Sequence, residues 1–161
     1  RPTDLHKLLQ DVISRHEPNL QQKKVGLEAD YDPGDAEVHV DNQRMYAVFS
    51  ELLNNAIKFS NADTTIQLRT RRQPPWFEVT LTNHGQSIDP CQRKDIFQKF
   101  YQGNQALTRT VGGCGLGLFL VYNLVRLHGG LVELLDPQGE ETTFRVRLPL
   151  EPPEGAAVTA S

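Results

Sequence analysis

The sequence predicts an α+β fold: a two-layer sandwich in which a mixed, mostly antiparallel sheet carries helices on one face. Apolar residues recur at helical spacing in some segments and alternate in others, so helices and half-buried strands are both expected. The two element types do not alternate strictly, which disfavours a parallel β-α-β sheet. A chain of 161 residues is long enough for one domain with a sizeable core.

Four elements are predicted before residue 60: a helix over about 4–15, strands at 25–29 and 37–40, and a long helix over about 42–59. Asp41 is suited to cap the long helix, because its carboxylate can accept from the first backbone N–H groups. The apolar residues of that helix form an unbroken stripe with a period of 3.6: Met45, Val48, Phe49, Leu52, Leu53, Ala56 and Ile57.

The second half of the chain predicts a hairpin, two helices and two final strands. The elements expected are antiparallel strands at 64–70 and 77–82 joined by 71–75, a short helix within 89–100, a helix after Gly117 and strands at 131–135 and 142–148. His128-Gly129-Gly130 is a glycine stop signal for the second of these helices. Residues 101–113 are polar and lack an apolar period, which indicates a mobile loop. Beyond residue 149 the chain lacks core-forming residues, so 1–149 is the predicted domain and 150–161 a disordered tail or linker.

Composition and charge exclude several classes of function. The formal net charge of −3 gives no basic excess for binding nucleic acid. No apolar run approaches the ~18–20 residues that span a bilayer, so we expect no membrane contact by this domain. Cys91 and Cys114 lack metal-ligand spacing and favour a reducing, cytoplasmic setting. Because the chain begins with Arg1, we expect a longer parent protein, and any membrane anchor would belong to that parent.

The glycines of residues 112–117 lie at the predicted start of the helix that follows them. Glycine permits positive φ and close approach of the backbone to a ligand. The first N–H groups of a helix have no partner within it and lie at the positive end of its dipole. This combination favours binding of a phosphate group.

The long helix carries a polar set at i, i+3, i+4 and i+7, formed by Glu51, Asn54, Asn55 and Lys58. This spacing predicts a shared face opposite the apolar stripe. A solvated helix surface would have the same pattern. Two adjacent asparagines are, however, poor helix formers in the middle of a helix. Amide and carboxylate oxygens with an ammonium group could instead hold Mg²⁺ and a phosphate chain.

Several motifs together resemble the sensor histidine kinases, within the superfamily of Bergerat-fold ATPases. Residues 51–60 (ELLNNAIKFS) resemble the N box, 96–101 (IFQKFY) the F box, and 113–118 (GCGLGL) the G2 box. The helix that follows the G2 box, with its ending at 128–130, also fits the kinases. The resemblance extends from about residue 3 to 149, and ordered motifs at such spacing are far more specific than any one of them.

The resemblance implies a catalytic domain that binds ATP with Mg²⁺. Asn55 would supply the metal-ligand oxygen, and Glu51 would orient or deprotonate the acceptor histidine. Lys58 would neutralise phosphate charge and Phe59 would line the base pocket. The backbone amides of the G2 box would hold phosphates beneath a lid formed by 101–113. The remaining expected nucleotide-binding residues are Asn54, Asn83, Gly85, Ser87, Ile88, Phe100, Tyr101, Arg109, Gly113, Cys114, Gly115, Leu116, Gly117 and Leu118.

The G1 box departs from the family pattern Asp-x-Gly-x-Gly, because this chain reads Asn83-His84-Gly85-Gln86-Ser87. Asn83 can accept a hydrogen bond from an adenine amino group, but it also offers an NH₂ donor and carries no charge. A neutral acceptor forms a weaker bond than an ionised one. Ser87 adds a Cβ where the family has glycine. We therefore expect a weakened or remodelled base pocket.

Three functions remain open: a working kinase domain, a degenerate regulatory domain that acts through protein contacts, and a domain adapted to a guanine nucleotide. The intact Glu51, Asn55, Lys58 and G2 glycines favour the first. No segment resembles the phosphoacceptor His-Glu-x-x-x-Pro helix, and His6 lacks that pattern. The expected substrate is therefore a histidine on a dimerisation domain of the parent, with a response regulator downstream. The isolated domain is expected to be a monomer.

Overall fold

The computed structural model describes residues 2–85, 113–135 and 141–151, with residues 113–117 described as backbone only. The elements in these ranges are β1 Pro2–Asp4, α1 Leu5–Lys23, β2 Gly26–Asp30, β3 Glu37–His39, α2 Asn42–Phe59, β4 Thr65–Gln73, β5 Trp76–His84, α3 Gly113–Leu127, β6 Leu131–Leu134 and β7 Glu141–Pro149. The predicted helix within 89–100, the predicted loop 101–113 except its last residue, and most of the tail lie outside the described ranges. That last residue, Gly113, is the first residue of α3 and not part of a loop.

Five strands form the main sheet, in the order β2-β4-β5-β7-β6. Only the β2–β4 pair in this sheet is parallel, and the other three pairs are antiparallel. A separate two-stranded antiparallel sheet pairs β1 with β3. The predicted mixed, mostly antiparallel sheet is therefore confirmed.

The core lies between one face of the sheet and the helices. β5 alternates strictly, with Phe77, Val79, Leu81 and Asn83 buried and their neighbours partly exposed. The opposite face is polar and carries cross-strand ion pairs, including Arg147 Nε to Glu78 Oε2 at 3.0 Å. Such alternation is typical of an antiparallel sheet with one covered face. In the described part of the chain the helices thus cover one face of the sheet, as the sequence predicts.

Helix α1 is longer than the predicted segment, which ended near residue 15. Pro18 lies inside the helix and removes one backbone hydrogen bond. The helix continues past it because His16 and Leu20 extend its buried side. His16 also contacts α2 through its Nε2, 3.3 Å from Ser50 Oγ. Packing against α2 therefore outweighs the local cost of proline.

The hairpin strands β4 and β5 also extend beyond the predicted segments, leaving only Pro74 and Pro75 between them. Their outer ends pair with each other and with β7, where Trp76 is opposite Pro149. This part of β4 is largely exposed and lacks an apolar alternation, so its strand signal is weak. The short strand β1 was not predicted, because it depends on pairing with β3.

Within the described ranges, none of the helices has the length and apolarity needed to cross a membrane.

Candidate nucleotide-binding site

Helix α2 begins and ends where the sequence predicts. The Asp41 side chain accepts a hydrogen bond from the Arg44 N–H at 3.0 Å. This backbone hydrogen bond holds the pKa of the Asp41 carboxyl below its usual range. The helix continues to Phe59, so the polar set forms its C-terminal half.

The polar set on α2 is not a single solvated face. Asn55 is 6% exposed, whereas Asn54 and Lys58 are exposed and Glu51 is intermediate. Seven residues of an α-helix advance by about 700°, so Asn55 points within about 20° of Val48, which is fully buried. The expectation that all four residues lie opposite the apolar stripe is therefore wrong for Asn55.

Asn54 lies on the flank of α2 that faces α1. A groove between the two helices is lined by Asn19, Gln22, Lys23, Asn54, Ile57 and Lys58. The His16–Ser50 contact lies on the same flank, one turn before Asn54. Successive residues of a helix differ in direction by about 100°, so Asn55 points away from this groove. The two adjacent asparagines therefore have different surroundings.

Helix α3 packs against α2 in the opposite direction. His128, just past the end of α3, accepts a hydrogen bond at Nε2 from the Asp41 N–H at 3.1 Å. Its Nδ1 lies 2.7 Å from the Leu124 carbonyl oxygen and donates to it. The ring therefore joins the end of α3 to the start of α2. In the sequence, the glycine stop signal at residues 128–130 indicates where α3 ends but gives no signal of this contact with α2.

This anchor brings the start of α3 level with Asn55. At about 1.5 Å per residue, Asn55 lies about 21 Å along α2 from Asp41, and Gly115 lies about 20 Å along α3 from His128. Because α2 and α3 pack against each other, equal lengths from a shared anchor bring these two residues to the same level. The predicted phosphate-binding and metal-binding motifs are thus neighbours in the fold.

The glycine motif is helical rather than a loop that precedes a helix. Helix α3 begins at Gly113, so Gly113, Cys114, Gly115, Leu116 and Gly117 form its first turns. Their leading N–H groups are the unpaired donors of a helix N-terminus. Leu118 is fully buried and anchors the helix in the core.

The end of β5 meets the end of α2. The Asn61 N–H donates to the His84 carbonyl oxygen at 2.9 Å. A Cβ on Gly85 would lie well under 3.0 Å from the Phe59 carbonyl oxygen, a separation that Cβ atoms do not adopt. Glycine is therefore required at position 85. The adjacent Asn83 is 1% exposed and directed toward the helices.

Lys58 and Phe59 are in contact at the end of α2. The Lys58 ammonium lies 5.4 Å from the centroid of the Phe59 ring, within the range of a cation–π interaction. The Lys23 ammonium donates to the Lys58 carbonyl oxygen and so ties this turn to α1. The cation and the aromatic ring are thus held next to the end of β5.

Five of the predicted site residues lie outside the described ranges: Ser87, Ile88, Phe100, Tyr101 and Arg109. The same applies to most of the predicted lid. Among the described residues, no group of three or more His, Cys, Asp or Glu side chains could hold a metal ion alone. A bound Mg²⁺ would therefore need oxygen ligands from phosphate and water beside any from the protein.

Comparison with known proteins identifies the family of this chain. The family model described as "Histidine kinase-, DNA gyrase B-, and HSP90-like ATPase" matches residues 40–152. The sensor histidine kinase TmoS of Ectopseudomonas mendocina is 35% identical over 159 residues, which are 98% of this chain and 16% of that protein. The sensor protein kinase WalK of Staphylococcus aureus is 28% identical over 150 residues, 92% of this chain and 36% of that protein. The chain thus spans well under two thirds of the length of these relatives.

Solved structures give the same fold. The catalytic domain of the histidine kinase ThkA superposes with a TM-score of 0.77 at 21% identity, covering 94% of this chain and 96% of that one. Full-length ShkA, solved in complex with AMPPNP, gives a TM-score of 0.74 at 23% identity and covers 94% of this chain and 31% of that one. The chain therefore belongs to the histidine kinase-, DNA gyrase B- and HSP90-like ATPase family, and is a histidine kinase ATPase domain homologous to those of sensor histidine kinases.

Proposed function

We propose that this domain binds ATP with Mg²⁺ and transfers the γ-phosphoryl group to a histidine on a separate dimerisation domain of a longer parent protein. The observation that supports this most is the convergence of three elements: the end of α2, the first turn of α3 and the end of β5. They bring a buried amide, a helix N-terminus and an aromatic ring to one region. The nucleotide analogue in the ShkA structure adds support by homology.

The phosphate end of the proposed site is formed by α2 and α3. Asn55 offers an amide oxygen on the flank away from α1, and Glu51 lies one turn earlier on the same side. Hard oxygen donors of this kind suit Mg²⁺, which keeps several waters and shares phosphate oxygens. The metal, when bound, neutralises phosphate charge. The leading N–H groups of α3 would hold the phosphate oxygens.

The chemical step is proposed as an in-line transfer. The acceptor histidine nitrogen attacks the γ-phosphorus, and the bond from that phosphorus to the β–γ bridging oxygen breaks to release ADP. Glu51 would orient the acceptor imidazole and take its N–H proton. Lys58 would stabilise the charge on the phosphate oxygens by moving its ammonium from the Phe59 ring. Most of the catalysis would come from positioning and charge neutralisation.

The base would lie beside the Phe59 side chain and the end of β5, near Asn83 and Gly85. Ser87, Ile88, Phe100 and Tyr101 are proposed to complete this pocket. Residues 101–113 would form the lid, in which Arg109 could reach a phosphate. We propose residues 1–149 as the domain and 150–161 as a tail or linker. The setting would be cytoplasmic, with a response regulator receiving the phosphoryl group from the parent.

The proposal is tested by titrating ATP into the chain by calorimetry, with Mg²⁺ and with EDTA. Asn55→Ala should remove the Mg²⁺-dependent gain in affinity and leave the metal-free affinity near that of the unmodified chain. Asn123→Ala is the matched control, because Asn123 is an exposed mid-helix asparagine whose amide donates to the Phe119 carbonyl oxygen of its own helix at 3.0 Å. An equal Mg²⁺ effect in Asn55→Ala would contradict the metal role, and no binding of ATP or ADP at millimolar concentration would exclude the proposal.

The acceptor step is tested in the full-length parent, by following phosphohistidine with labelled ATP. Glu51→Gln should keep ATP affinity but slow phosphorylation by about 10²–10⁴-fold, the usual range for loss of a general base. If nucleotide binds and neither the parent nor its Glu51→Gln variant is phosphorylated, the domain is regulatory rather than catalytic.

A further inference from the structure

The Asn83 side chain is a buried polar group without a partner. It is 1% exposed, and within residues 2–85, 113–135 and 141–151 neither its Nδ2 nor its Oδ1 has a hydrogen-bond partner. In proteins, the large majority of buried polar side-chain atoms have a hydrogen-bond partner. An amide with neither its oxygen nor its nitrogen paired therefore needs an explanation. A ligand that supplies one acceptor and one donor would satisfy it.

The position of Asn83 indicates where such a ligand would enter. Asn83 follows Phe77, Val79 and Leu81 along the inward face of β5, and is the polar end of an otherwise apolar row. A Cβ on the neighbouring Gly85 would lie 3.9 Å from Asn83 Nδ2. The amide therefore lies next to the close approach between β5 and Phe59. A ligand that reaches this amide would therefore lie near the end of α2.

The chemistry of an amide sets which purines fit. Its oxygen can accept from the 6-amino group of adenine while its NH₂ donates to N1. Rotated by 180°, the same group donates to the 6-oxo group of guanine and accepts from N1–H. A carboxylate has no donor. It would accept from the 6-amino group of adenine but repel the 6-oxo oxygen of guanine. An amide avoids this repulsion, because each of the two bases pairs with both the amide donor and the amide acceptor.

We infer that Asn83 lets the base site accept either an amino or an oxo group at position 6 of a purine. This domain then binds ATP and GTP with affinities within about tenfold of each other. This inference rests on the proposed nucleotide-binding function. Strong rejection of a ligand arises when buried polar groups of the site are left unpaired, which neither base does here. A purine nucleotide with hydrogen at position 6 lacks that group, leaves part of the amide unpaired, and should bind more weakly than both.

The test measures dissociation constants of the chain for ATP, GTP and the 6-unsubstituted purine nucleotide in the presence of Mg²⁺. The dissociation constants for ATP and GTP should agree within about tenfold, and the 6-unsubstituted nucleotide should bind at least fivefold more weakly than either. The isosteric Asn83→Asp variant should shift the ratio toward ATP by at least tenfold. Asn123→Asp, which changes an exposed asparagine on α3, should leave the ratio as it is.

A second variant covers the case in which Asn83→Asp does not fold. Asn83→Leu replaces the unpaired amide by an apolar group of similar shape, so the nucleotide-free chain should melt at a higher temperature and both affinities should fall. ATP binding without detectable GTP binding would overturn the inference and leave the proposed function standing. Unchanged affinity of the Asn83→Leu variant for both ATP and GTP would also overturn the inference. Absence of binding by every nucleotide would overturn the proposed function itself.

Discussion

Replacing Gly85 by alanine should separate the end of β5 from the end of α2. The new Cβ would overlap the Phe59 carbonyl oxygen, and ordinary contact begins only at 3.4 Å. The obstacle is a backbone atom, so a rotamer change cannot relieve it. The two segments must move apart by roughly 1 Å, the size of displacement that costs active sites about 10²-fold.

Two consequences of Gly85→Ala are expected. Overpacking of this kind costs about 1–3 kcal/mol of unfolding free energy, which lowers Tm by about 2–12 °C for a chain of this size. ATP affinity should fall at least tenfold, or about 1.4 kcal/mol, because the base region is displaced. Differential scanning fluorimetry measures the first effect and calorimetry the second.

Gly26→Ala is the matched control for this substitution. Its Cβ would lie 3.3 Å from the Thr65 Oγ1, a side-chain atom that can move by a few tenths of an ångström. Gly26 is exposed on the edge strand β2, which is separated from β5 by β4. Its Tm should change by less than about 2 °C, with ATP affinity unchanged. The reasoning fails if Gly85→Ala matches wild type in both measurements.

Two further predictions concern the junction of α2 and α3. Asp41→Ala should cost about 1 kcal/mol at pH 7 by loss of the cap. Because the folded pKa of Asp41 is lowered, the deficit should shrink as the pH falls from about 4, the usual pKa of aspartate in the unfolded chain, through the lower pKa of the folded state. Urea unfolding that shows one deficit at every pH would contradict this. His128→Phe should remove the acceptor of the Asp41 N–H, so hydrogen exchange of that amide should accelerate while the amide of Met45, bonded to the Asp41 carbonyl oxygen, stays protected. Unchanged exchange at Asp41 would show that the ring does not hold this junction.

Asn55 illustrates the limit of helical periodicity. The spacing of the polar set agrees with a helix here, but it wrongly predicts Asn55 to lie opposite the apolar stripe. Periodicity alone cannot say which flank of a helix is covered, because that depends on where neighbouring helices pack. Here the contact with α1 leaves Asn54 at a groove, whereas Asn55 is buried on the other side. Adjacent and identical residues therefore differ in burial for a tertiary reason.

The sequence by itself determined the local features of this protein: the cap at Asp41, the extent of α2, the hairpin, the glycine stop after α3 and the family motifs. These depend on neighbouring residues, so their signals are local. Only the tertiary structure decided that α1 passes through Pro18, that the G2 glycines are helical, and that Gly85 must approach Phe59. Each of these depends on contacts between distant segments, whose packing energy outweighs local preference.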